Sequence, residues 1–258
     1  MVSGKSSKAV RNARAAVVTQ RSVPWGTILA VLAVVVFAGG VFGYAFLRDQ
    51  ENAGRIEALA PFTPTAENKD PSVNIEGVVV VNYEGGQHVT PETRVAYTQS
   101  PPFGGAHDFA WAACNGVVYP QPVRSENLVH SLEHGAVWIA YNPDQITGAA
   151  LDTLRLRAKA ENQPYTVMSP YPGLDQPISL QSWGHQLKLS DPGDIRIDQF
   201  IQALRINPYT HPEVGASCNE MGPGAFVQDD PPPFTPPPAV SEINGTTVKA
   251  ETIPAAAG

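Results

Sequence analysis

Six histidines lie along the 258 residues of this chain, and two of them, His130 and His134, stand four apart in the run Val129-His-Ser-Leu-Glu-His-Gly135. On a helix that spacing projects both rings from one face. It is a common way to offer two imidazoles to a single metal ion. Leu128, Leu132 and Ala136 flank this face, so the pair should lie at the edge of a core. Buried imidazoles without partners cost free energy. A metal ion would satisfy them, and hydrogen bonds to backbone carbonyls would do so equally. His88 and His107 lie upstream, in a loop before this helix, so His88, His107, His130 and His134 form the expected ligand set. Four imidazoles suit copper or zinc. A closed four-ligand shell is the structural form for zinc, whereas a catalytic site keeps one position open. Met168 and Met221 offer softer sulfur that would favour Cu(I), but Met168, inside an apparent strand, reads as a core filler.

The same run also spells H-x-x-E-H, the inverted zinc-protease pattern, which would make Glu133 a general base. That pattern sits on a long helix and takes its third ligand from a later one. Here the helix is predicted to end at Gly135, and Glu161 is the later helical acid that suits the role. Cys114 and Cys218 are the only cysteines. An even count in an exported domain suggests a bridge. It would close a loop of about 104 residues, worth about 4–5 kcal/mol in the chain-entropy model. A pair of thiolate ligands is the alternative, although the C-x-x-C spacing is lacking.

The elements that must position these residues begin with an anchor. Trp25 to Leu47 contains no ionisable group other than Tyr44. As a helix it would run about 35 Å, enough to cross a hydrocarbon core of about 30 Å. Lys5, Lys8, Arg11, Arg14 and Arg21 precede it without a single acid. By the positive-inside rule, residues 1–24 form a cytoplasmic basic tail, residues 25–47 span the membrane, and the rest is extracytoplasmic. A cleavable signal peptide would have a shorter apolar run and a small-x-small site after it, and neither is present. Beyond residue 24, the remaining 12 bases stand against all 24 acids. That balance disfavours nucleic acid as a partner, because phosphates would be repelled.

Residues 48–75 read as a stalk, helical to about Leu59 and then broken by Pro61, Pro64 and Pro71. Residues 76–228 read as one globular domain of α+β class, with a small mixed sheet and a few helices. Strands are expected near Gly77–Tyr83, Val117–Tyr119, Ala136–Tyr141, Tyr165–Ser169, Ile178–Ser182 and Gln186–Leu189. Helices are expected over Glu126–His134, from Gln145 to about Asn162, and from Asp194 to Ile206. The long stretch 84–124, rich in Gly, Pro and aromatics, reads as an ordered functional loop. Residues 229–258 are proline-rich, poor in large apolar side chains, and expected to be disordered.

With these residues in view, the chain resembles the bacterial, mainly actinobacterial, membrane-anchored proteins grouped as domain of unknown function 3105. The resemblance runs from about Val78 to Ala203. It is carried by Gly85 to Val89, Tyr97, Pro101-Pro102, Gly105-Ala106-His107, Trp111, Cys114, Gly116, Tyr119, His130-Ser-Leu-Glu-His134-Gly135, Pro170 and Trp183-Gly184. Phe103, Gly104 and Ala106 depart from the family's pattern before His107, and Asn115 separates Cys114 from Gly116. The resemblance implies that His88, His107, His130 and His134 belong together. It implies no activity. His185 stands where the family pattern has arginine, and His211 lies outside it, so both fall outside the expected site. Three readings follow: an extracytoplasmic domain binding copper or zinc, a structural or interaction module whose histidines brace the loop, and a metal-dependent hydrolase.

Overall fold

The computed structural model describes residues 23–159, 164–242 and 247–249. The chain divides into two compact units, residues 1–56 and 57–258. Helix α1 runs Trp25–Leu59, most of it in the first unit, with no buried residue. The predicted membrane span and the helical part of the stalk are one helix, because nothing between Leu47 and Leu59 breaks it. The helix is long and apolar enough to cross a membrane. It is compatible with an anchor or a signal sequence.

The second unit is α+β, as predicted. Its centre is a six-stranded mixed sheet of order β1-β9-β8-β6-β7-β5. The strands are β1 (Val79–Val80), β5 (Asn115–Val118), β6 (Val137–Tyr141), β7 (Thr166–Pro170), β8 (Ile178–Ser182) and β9 (His185–Leu189). β7 pairs in parallel with both β5 and β6, and β6, β8, β9 and β1 then pair antiparallel. The β-branched run Gly77–Tyr83 contributes only two residues to the ladder. Helix α2 is Ser125–Glu133, α3 is Gly148–Ala158 and α4 is Ile195–Leu204. Helix α3 begins three residues later than predicted, and the end of that prediction, 160–163, lies outside the described residues. Asp194 caps α4 by accepting from the Arg196 N–H, as its side chain should at an N-cap.

Every residue of β6 is buried because both faces of the sheet are covered. Val137, Ile139 and Tyr141 point into a cluster with Leu154 of α3 and Ile197, Phe200, Ile201 and Leu204 of α4. Trp138 and Ala140, alternating with them, pack on the other face with Leu128 and Leu132 of α2. Met168 is fully buried in the first cluster, as a core filler should be.

Two small parallel pairs lie outside the main sheet. β2 (His88–Val89) runs beside β4 (His107–Asp108), and β3 (Arg94–Ala96) beside β10 (Thr247–Lys249). The described part of the proline-rich tail, expected to be disordered, makes specific contacts. Phe234 packs on Tyr171, and the Arg94 guanidinium donates to the carbonyls of Thr235 and Pro236.

Candidate metal centre

All nine residues of α2 are buried, so its polar side chains must find partners inside the protein. His130 and Glu133, three apart, share a face of the helix, and His134 follows at its C-cap. The loop before the helix folds against that face. Its path is pinned by Asn127, whose amide donates to the Ala110 carbonyl, and by Ser131, whose hydroxyl donates to the Ala112 carbonyl. Arg124 pairs with Asp108 in a buried contact and donates to the Thr93 carbonyl. These contacts set β4 against α2, and β4 in turn places His107 directly beside His88 of β2 in register.

The outcome is a cluster of imidazoles packed edge-on or tilted against one another. Ring centroids are 4.9 Å apart for His88 and His107, 4.8 Å for His88 and His130, 4.8 Å for His107 and His130, and 4.5 Å for His130 and His134. Trp111 lies against His130 and His134, and Trp183 against His107.

Three of these rings are fixed in the same way. Nδ1 of His107 meets the Gly105 carbonyl at 2.8 Å, Nδ1 of His130 the Asp108 carbonyl at 2.7 Å, and Nδ1 of His134 the Ser217 carbonyl at 2.6 Å. A carbonyl oxygen only accepts, so each Nδ1 carries a proton, and in the neutral ring each Nε2 presents a lone pair. A backbone acceptor behind a ring in this manner is the usual support of a metal-ligating histidine.

Glu133, whose motif suggests only a general base, completes the group. One ligand atom each from His88, His107, His130 and Glu133 lies within 4.8 Å of the others. Oε1 of Glu133 accepts from the Gly86 N–H at 2.6 Å, and Oε2 lies 2.8 Å from His107 Nε2 and 3.8 Å from His88 Nε2. Gly85 has no Cβ for a physical reason, since one there would sit 2.9 Å from Oε1 and 2.7 Å from Pro212. The 2.8 Å contact is within ion-pair reach, but its direction is poor for a hydrogen bond. Both atoms are buried, and among the described residues neither has a partner of acceptable direction.

His134 is drawn elsewhere. Its Nε2 lies 3.1 Å from Oε2 of Glu213, and His130, His134 and Glu213 form a second convergent group, again with ligand atoms within 4.8 Å. The Cys114–Cys218 disulfide, with its Cα atoms 4.9 Å apart, brings this segment to the end of α2. The four expected histidines are therefore neighbours, but three of them meet with Glu133 and the fourth meets Glu213. Glu213 has no helical spacing to reveal it in the sequence, and Glu161 lies outside the described residues.

Electrostatics follow from burial. Burial pushes His130 down to about 2, with His107 and His134 adding to the effect. His88 is lowered by burial and by His107, and His134 chiefly by burial. Burial alone would raise Glu133, but the contact with His107 and the Gly86 N–H outweigh it and hold the carboxyl below its usual range. The shifts of His88, His130 and His134 favour neutral imidazoles, as a metal ion requires of its histidine ligands.

His185 and His211 stand apart from this group. His185 lies between the Trp183 carbonyl and Asp70, and Nδ1 of His211 donates to the Glu133 carbonyl behind the site.

No curated protein and no solved structure matches the chain. The family described as protein of unknown function, DUF3105, matches residues 88–220, just over half of the chain, and its span holds all four histidines together with Glu133 and Glu213. The protein belongs to the DUF3105 family.

Proposed function

We propose that this protein is a membrane-tethered, extracytoplasmic domain that binds one copper or zinc ion through His88, His107, His130 and Glu133. One observation carries the reading. His107 Nε2, a lone pair in the neutral ring because Nδ1 donates to the Gly105 carbonyl, faces the Glu133 carboxylate at 2.8 Å in a direction poor for a hydrogen bond. Two buried lone pairs at that distance repel unless a cation lies between or beside them. A proton would serve a single imidazole–carboxylate pair. Convergence of His88 and His130 on the same place is what a metal ion calls for.

Imidazole and carboxylate donors suit copper(II) or zinc. In this role Glu133 is a ligand. With Oε1 held by Gly86 and Oε2 turned to the imidazoles, neither oxygen is left to act as a base, which favours binding over hydrolysis.

The setting is read from the rest of the chain. Residues 1–24 stay in the cytoplasm, 25–47 cross the membrane and 48–75 link the span to the outer domain. A buried disulfide suits an oxidising compartment.

The test is elemental analysis of the purified chain, with thermal unfolding in the presence and absence of copper or zinc. Bound metal and a thermal shift are expected. His130→Ala combined with His134→Ala should weaken binding at least about tenfold. A chain that carries no metal and shows no shift would leave the bracing reading in its place.

A further inference from the structure

We infer that the centre has two ion positions sharing one donor, His130, and that an ion reaches the inner position by way of the outer one. This rests on the metal-binding reading above. The inner position is His88, His107, His130 and Glu133, and the outer is His130, His134 and Glu213. His130 has only Nε2 to give, because its Nδ1–H is committed to the Asp108 carbonyl. Both positions therefore draw on the same lone pair and cannot both be complete. The chain holds one tightly bound ion at a time, with His130 common to the start and the end of its path.

The other donors differ in access. Glu133 and His107 have no exposed side-chain surface, whereas the Glu213 side chain is 38% exposed. A hydrated cation meets the Glu213 carboxylate at the surface, with His134 Nε2 only 3.1 Å behind it. Each position contains one carboxylate, so an ion moving between them keeps the same charge compensation. Each also keeps His130, so the ion exchanges ligands without returning to water. The outer group does not collapse when empty. The Glu213 N–H donates to the Glu133 carbonyl, and the Ser217 carbonyl holds the His134 ring. The competing path is direct entry past His88, whose side chain is 35% exposed.

Two tryptophans report on the two positions. Trp111 lies against His130 and His134, and Trp183 against His107. The experiment mixes copper(II) rapidly with the metal-free full chain in detergent and follows quenching of tryptophan fluorescence. Trp25 and Trp138 are common to both variants and give the same background. In Trp183→Phe the quenching of Trp111, beside the outer position, should come first. In Trp111→Phe the quenching of Trp183 should follow after a lag. Glu213→Gln, which keeps the side chain's size but removes its charge, should slow loading at least about tenfold. His88→Ala should release copper faster than the wild-type chain.

Loading of Glu213→Gln at the wild-type rate would overturn the inference. So would slowed loading in His88→Ala alone, or two equivalent copper ions per chain. A wild-type chain that binds no copper would instead remove the metal reading itself, a result plainly different from normal binding with unaltered kinetics.

Discussion

Replacing the carboxylate of Glu133 by an amide separates two ways of satisfying His107. If an ion belongs between them, the metal-free protein carries an acceptor–acceptor contact, which Glu133→Gln would relieve by donating an amide N–H to Nε2. The Gln carbonyl would keep the Gly86 bond. The metal-free variant should then gain about 0.5–1.5 kcal/mol of stability while losing metal affinity. A drop in its melting temperature would point instead to an imidazolium–carboxylate pair. The buried imidazoles also set a pH dependence. His88, His130 and His134 titrate below their ordinary 6.5 in the folded chain. As pH falls through that value the unfolded chain takes up protons that the native chain refuses. The stabilisation is therefore full above about 6.5 and is lost progressively below it. Thermal unfolding of metal-free protein between pH 8 and pH 5 should show a falling midpoint, and a flat profile would contradict the assignment. The His130–His134 pair was legible in the sequence because helical spacing is a local property. The role of Glu133 as a ligand and the position of Glu213 were not. Both depend on where a loop and a disulfide-bonded segment return to α2.

The helix that carries the centre is short, wholly buried and sharply ended. Gly135 follows its C-cap with φ of +93°, and a Cβ there would come within 2.7 Å of the His211 ring. That ring cannot simply step aside, since its Nδ1 donates to the Glu133 carbonyl. Gly135→Ala should cost at least about 2 kcal/mol, the left-handed backbone accounting for about 1–2 of it. Chemical unfolding measures this directly, and a change under 0.5 kcal/mol would show that the helix ends some other way. Most elements of the central sheet were readable from β-branched runs, α3 from apolar periodicity and α2 from the glycine that ends it, although Ser125, the residue that suits an N-cap, lies inside α2 and caps nothing. β2 and β4 were not, because two-residue strands have no period to display. They are defined by each other and by Arg124 and Asp108, which lie in contact only once the fold exists.

In the whole molecule, one apolar helix precedes a domain whose acids outnumber its bases. We expect the full chain to remain with membranes through alkaline extraction. Deletion of residues 1–47 should release the domain in soluble form, and solubility of the full chain would remove the anchor. The class of the fold and the apolar helix were plain in the sequence. The contacts of Phe234 and of the Thr235 and Pro236 carbonyls were not, since proline-rich composition says how a segment bends but not what it lies against. Three ring protons of the centre are fastened to main-chain oxygens, those of Gly105, Asp108 and Ser217. No side-chain replacement at those three positions can delete the oxygen that holds each ring. The orientation of each ring is therefore set by the course of the backbone, and the nitrogen that looks inward stays the same while that course is kept.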